Sequence, residues 1–198
     1  MQALIIIDPQ MDFCPGGALA VADGDSIMPV INNHMDDFEL IVITQDWHPK
    51  GHSSFASSHP DHNAYDTVSM AYGDQILWPD HCVAGTNGAA FHPALMADRA
   101  NAVIRKGCNA TVDSYSAFFE NDRKSATGLA GLLQERGVDS VLMVGLATDF
   151  CVAWSALDGA KLGLDVRVDL SACRAIDLDG SLDAALDNMH KAGVTILG

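Results

Sequence analysis

The chain is short of positive charge. Only 11 lysines and arginines stand against 26 aspartates and glutamates in 198 residues, a formal net charge of −15. A surface this acidic repels phosphate backbones and anionic lipid, which argues against nucleic acid and membrane surfaces as partners and favours small neutral or cationic ligands. Cysteine is sparse, odd in number and scattered (Cys14, Cys82, Cys108, Cys151, Cys173), with no CxxC pair. That argues against a disulfide framework or a zinc ribbon and fits a reducing cytoplasm. Long apolar runs are missing as well. The longest later run, Val141 to Ala147, is far below the roughly 18 residues of a membrane span. The first, Ala3 to Ile7, has no basic flank and is stopped by Asp8, so neither an export signal nor an anchor is expected. There is no internal repeat, and neither GxGxxG nor the P-loop pattern occurs, so the phosphate cradles of nucleotide-binding modules are lacking.

What is present is a 48% apolar composition, enough for one compact domain over residues 1–198 that buries roughly 70% of the unfolded chain's surface. Short β-rich runs lie at Ala3–Ile7, Leu40–Thr44, Ala102–Arg105, Val141–Val144, Val166–Leu170 and Val194–Leu197. Helical spacing links Ile27, Val30, Ile31, Met35 and Phe38. It returns at Leu129, Leu132 and Leu133 before Gly137, from about Phe150 to Leu162, and through Leu182, Leu186 and Met189 before Gly193. Alternating strands and helices imply parallel strands joined by right-handed crossovers: a three-layer α/β/α sandwich around a six-stranded parallel sheet. A stretch at about residues 45–100 breaks the alternation. It shows little period of either kind, yet holds six of the eight histidines and many aromatics. A loop that long usually serves a function.

In open parallel sheets the chemistry sits beyond the carboxyl ends of the strands. Asp8 follows the first strand, Asp46 and His48 the second, Lys106 the third, and Cys151 the fourth, at the expected start of a helix. A thiol needs a base or a positive field to become a nucleophile. Cys151 would receive both, from Asp8 as proton acceptor and from Lys106 with the helix amino terminus, and is expected to be held as an activated anion. Unpaired amides around Cys151 would serve a developing oxyanion. A plainer reading of GLATDFC, from Gly145 to Cys151, is a tight turn capped by Thr148 or Asp149. In an extended segment Asp46 and His48 point to one face, suiting a borderline divalent ion. The third ligand must come from afar, with His81 of WPDHC the leading candidate and His52 the second.

These residues lie in the motifs LIIIDPQMDFCPGGAL, TQDWHPKGHSSFA, LWPDHCVAGTNGAAFHP, IRKG and GLATDFCV. With them the chain resembles the nicotinamidases of the isochorismatase-like cysteine hydrolase superfamily, nearly end to end. The resemblance implies a Rossmann-like fold with strand order 3-2-1-4-5-6 and hydrolysis of nicotinamide to nicotinate and ammonia through a Cys151 thioester, in NAD salvage. Pyrazinamide is implied as an accepted analogue. It implies Cys151 as nucleophile, Asp8 as base, Lys106 as the cation that poises both, and a cis peptide between Leu146 and Ala147 that forms an oxyanion hole from the Ala147 and Cys151 amides. It further implies one divalent ion, zinc or iron with manganese as another option, on Asp46, His48 and His81, with His52 as an extra candidate. Phe13, Trp78 and Tyr115 match the aromatic walls of a ring slot. Assembly into a homo-oligomer is left open.

Three rivals remain at this stage. One is a related hydrolase acting on a carbamoyl amide. The second is a metallohydrolase in which the ion generates hydroxide and Cys151 is a bystander. The third is a non-catalytic nucleotide-binding module, suggested by the α/β order alone.

Overall fold

The first strand is apolar without interruption, and every residue from Ala3 to Ile7 is fully buried, as expected for a strand covered on both faces. A computed structural model describing residues 1–198 places it at the centre of the sheet. In chain order the elements are β1 (Gln2–Ile7), α1 (Met28–His34), β2 (Leu40–Asp46), β3 (Thr67–Met70), β4 (Gly73–Ile76), β5 (Ala102–Lys106), α2 (Leu129–Glu135), β6 (Ser140–Leu146), α3 (Ala153–Lys161), β7 (Asp165–Arg174), α4 (Ser181–Lys191) and β8 (Thr195–Leu197). Six strands form one parallel sheet in the order β5-β2-β1-β6-β7-β8. With the β3–β4 hairpin set aside, this is the expected 3-2-1-4-5-6 order.

Alternation along β1 divides the core. Leu4 and Ile6 enter a cluster of 23 buried residues together with Ile27, Met28 and Ile31 of the α1 region, whereas Ala3, Ile5 and Ile7 join a second cluster of 22. That second cluster takes its helical residues from α2, α3 and α4, for example Leu133, Ala156 and Met189. One sheet face therefore carries three helices. The other carries α1 and is completed by the long loop region, whose Trp78, Ala89 and Leu95 pack into the same cluster. No helix is long and apolar enough to cross a membrane.

Several boundaries differ from the sequence expectation. The stretch expected to lack period contains the antiparallel β3–β4 hairpin. In β3, half-buried Val68 and Met70 alternate with exposed Thr67 and Ser69, a pattern only four residues long and too brief to stand out. The helix expected from Phe150 begins instead as a single π-turn over Thr148–Val152 and becomes α-helical at Ala153. β7 runs past Leu170 to Arg174 by way of a bulge, with Met143 opposite Val168 but Gly145 opposite Cys173. At Gly145, with φ +124°, an added Cβ would sit 2.1 Å from the Ile7 carbonyl oxygen. Only glycine lets β1 and β6 approach this closely, and that approach sets Asp8 beside the turn bearing Cys151.

Candidate active site

Four strand ends converge as the sequence implied. Lys106 is the last residue of β5, Asp46 the last of β2, Asp8 the first beyond β1, and Cys151 lies in the π-turn after β6. Neighbouring strands are about 4.8 Å apart, so the lysine needs its whole stem to cross the end of β2. Its fully buried ammonium lies 2.9 Å from Asp8 Oδ2 and 2.9 Å from Asp46 Oδ1. It donates to the Ser114 carbonyl at 2.8 Å and stands 3.5 Å from Cys151 Sγ. Burial would neutralise the amine, but Asp46 and Asp8 outweigh it and hold the Lys106 ammonium well above the lysine range.

Asp8 is fully buried and held from the side. The Thr44 hydroxyl donates to its Oδ1 at 2.6 Å and accepts from its backbone N–H at 3.1 Å. Its Oδ2 faces the ammonium but makes no regular hydrogen bond, which leaves this oxygen open to a proton. Burial raises the Asp8 pKa; Lys106 pulls it back and Asp46 adds to the rise. For Cys151, burial pushes the thiol well above its usual range, the ammonium opposes, and the two carboxylates reinforce the rise. Two acids and a buried position thus work against the expected thiolate, and one cation works for it.

Asp46, His48 and His81 are buried, and their ligand atoms lie within 4.8 Å of one another. Asp46 Oδ2 is 3.1 Å from His48 Nε2 and 3.4 Å from His81 Nε2. His48 Nδ1 faces the Gly107 carbonyl at 3.2 Å, and His81 Nδ1 faces that of Pro79 at 2.8 Å. A carbonyl can only accept, so both Nδ1 atoms donate, which turns both Nε2 atoms toward the carboxylate. This is the donor set and outer hydrogen bonding of a divalent-metal site. Gly107, φ +66°, is required here because a Cβ would come within 2.5 Å of His48 Cε1. Burial raises the Asp46 pKa, but His48 and Lys106 overcome it and hold this carboxyl well below the usual range.

His52 does not join that trio. Its ring stacks 4.5 Å from that of His48, its Nδ1 accepts from the Ser54 hydroxyl at 2.8 Å, and its Nε2 donates to the Asn109 carbonyl at 2.7 Å. His48, His52 and Asp113 form a second close group, but with both His52 nitrogens engaged it braces His48 from behind.

A small cavity opens onto Cys151, Asp46 and His81. The expected Phe13, Trp78 and Tyr115 all line it, together with Ala147. Trp78 Nε1 donates to the Tyr115 hydroxyl at 3.0 Å. Leu19, Asp113, Phe150 and Ile176 complete the wall and escaped sequence reasoning. Phe150 adjoins Cys151 in a quoted motif and could have been found there; Ile176 belongs to a loop with no local signal. The Leu146–Ala147 peptide is cis. Asp149 is not the expected cap. The turn has no side-chain cap; instead the buried Asp149 carboxylate accepts from Ile176 N–H at 3.0 Å, Asp177 N–H at 2.8 Å and the Ser181 hydroxyl at 2.5 Å, fastening the Ile176 loop to the nucleophile turn.

Comparison with known proteins identifies the family and supports the fold. The sequence model of the isochorismatase domain matches residues 2–198. A nicotinamidase of Acinetobacter baylyi is 55% identical over 97% of this chain and 90% of its own. The solved Acinetobacter baumannii nicotinamidase/pyrazinamidase superposes with a TM-score of 0.98 at 52% identity, covering 99% of this chain and 95% of that one. The pyrazinamidase of Pyrococcus horikoshii, solved in complex with zinc, has a TM-score of 0.79 at 35% identity, covering 99% and 98%.

Proposed function

The chain belongs to the isochorismatase domain family, and from that premise we propose that it hydrolyses nicotinamide to nicotinate and ammonia, and pyrazinamide likewise, through a thioester on Cys151. The observation that carries this reading is the Lys106 ammonium, 2.9 Å from Asp8 and 3.5 Å from Cys151 Sγ, with Cys151 itself lining a small aromatic cavity.

Burial and the two carboxylates favour the thiol over the thiolate, so the first step moves its proton. Asp8 takes it as Sγ attacks the carboxamide carbon, and a C–S bond forms while the carbonyl π pair moves to oxygen. The amides of Ala147 and Cys151 receive that oxyanion. As the C–N bond breaks, Asp8 returns the proton to the leaving nitrogen and ammonia departs. Water, deprotonated by Asp8, then attacks the thioester, the C–S bond breaks, and the proton goes back to sulfur. Lys106 steadies the negative charge that passes between Asp8 and Cys151. Phe13, Trp78 and Tyr115 hold the flat ring. Asp46, His48 and His81 would hold one divalent ion, zinc or iron with manganese as an alternative, which when bound supplies a Lewis-acid contact for the ring nitrogen.

Ammonia release from nicotinamide, abolished in Cys151→Ala, together with an acyl adduct on Cys151 in mass spectra after brief exposure, tests the reading. Intact hydrolysis by Cys151→Ala overturns it and returns the ion-generated hydroxide route. The chemistry of the donor trio suits a pyridine ring better than a carbamoyl amide, and relative turnover of the two decides that point.

A further inference from the structure

β1 ends at Ile7, where Asp8 turns the chain away with φ +45°, but β2 continues to Asp46. The β1–β2 register stops at Ile6 opposite Ile43. The last residues of β2 therefore lose the neighbour that would satisfy the backbone groups pointing toward β1. Asp46 is the residue most exposed to that loss, and its carboxylate belongs to the putting-together of both the ammonium contact and the imidazole pair.

A side chain takes the place of the missing strand. Gln10 is fully buried; its Oε1 accepts from the Asp46 N–H at 2.7 Å and its Nε2 donates to the Asp46 carbonyl at 2.8 Å. Nε2 also donates to the Ala89 carbonyl at 2.9 Å, which ties the same amide to the loop leading away from His81. The primary amide thus supplies the Asp46 backbone with the acceptor and the donor that the missing strand would have given. Buried backbone groups stripped of such partners shift until they find others, and here any shift would carry the carboxylate with it.

We propose that Gln10 is the positioning residue of the metal site: it fixes Asp46 against His48 and His81 without touching the ion, the substrate or the sulfur. The proposal rests on the metal reading above. Gln45 provides an internal control, because its Nε2 donates to the same Ala89 carbonyl at 2.9 Å yet its side chain makes no hydrogen bond to the Asp46 backbone.

The test is zinc affinity, measured by competition with a chromogenic chelator, for the wild-type chain, Gln10→Met, Gln10→Asn and Gln45→Met. Outer-shell partners of metal ligands are typically worth about 10–100-fold in affinity. Gln10→Met should therefore bind zinc at least about tenfold more weakly, with Gln45→Met within about twofold of wild type. Gln10→Asn, too short to span both Asp46 atoms, should fall with Gln10→Met, and it gives the reading if the methionine variant does not fold. The rate at which iodoacetamide alkylates Cys151 should stay within about twofold throughout, which a general loss of structure would not allow. Equal zinc affinity in wild type and the Gln10 variants overturns the proposal and leaves the metal reading standing. So does an equal loss in Gln45→Met, which would assign the effect to the Ala89 loop. Failure of the wild-type chain to bind zinc, iron or manganese overturns both.

Discussion

The two halves of the site are built by different means. Asp8, Lys106 and Cys151 stand on or just beyond strand ends, and the order of the sheet alone brings them together. His48 and His81 lie in irregular chain, each aimed by a hydrogen bond from Nδ1 to a backbone carbonyl. Topology fixes the first group and local hydrogen bonds the second. The first should therefore govern bond breaking and the second the hold on ion and ring, so that damage to each reads out differently.

The sharpest test of that division is Cys151→Ala. Loss of a nucleophile acting as a unit with its base costs several orders of magnitude, so ammonia release should fall at least ~10⁴-fold with circular dichroism and zinc affinity unchanged. Loss of the ion along with activity would break the division. Lys106→Met comes next. It leaves two carboxylates facing each other in the interior, a loss of charge pairing that typically costs about 3–5 kcal/mol. Urea unfolding should report a drop of that order, and a variant as stable as wild type would show that the ammonium is dispensable to the fold.

On the other half, His81→Ala should weaken zinc binding by at least about tenfold and raise KM more than it lowers kcat; chelation of the wild-type protein should reproduce the pattern. A fall in kcat alone would place His81 with the bond-breaking group. The smallest effect lies outside both halves. Glu120 has a half-buried carboxyl, pushed from its usual value near 4.5 up to about 7 by burial, with Asp122 and Asp113 adding to the rise. The folded chain holds that proton more tightly than the unfolded one. Its contribution to stability is complete below about pH 4.5 and lost as the pH climbs through about 7. Glu120→Gln should accordingly raise Tm at pH 8 and leave it nearly unchanged at pH 4.5; identical pH profiles for variant and wild type would refute this.

How much of this could be read from sequence follows the same division. The continuous apolar runs of β1 and β6 mark buried parallel strands, so the sheet and its three reactive ends were legible. Asp46, His48 and His81 were legible through residue type and spacing. The hairpin was hidden because four-residue strands carry too little alternation. Gln10 was hidden because an amide in a motif gives no sign that it completes a neighbouring strand. Ile176 was hidden because its place in the cavity wall depends on Asp149, 27 residues earlier, reaching across to its backbone. Spacing names the acids and the cation around the sulfur but does not weigh burial against them.

Asp46 gives one carboxylate oxygen to an ammonium and turns the other to two imidazoles. A descendant of this scaffold that abandoned its ion could change His48 or His81 freely, whereas a change at position 46 would also remove one of the two carboxylates that face Lys106. Ligand loss in this architecture is thus expected to begin at the histidines, with the aspartate the last of the three to go.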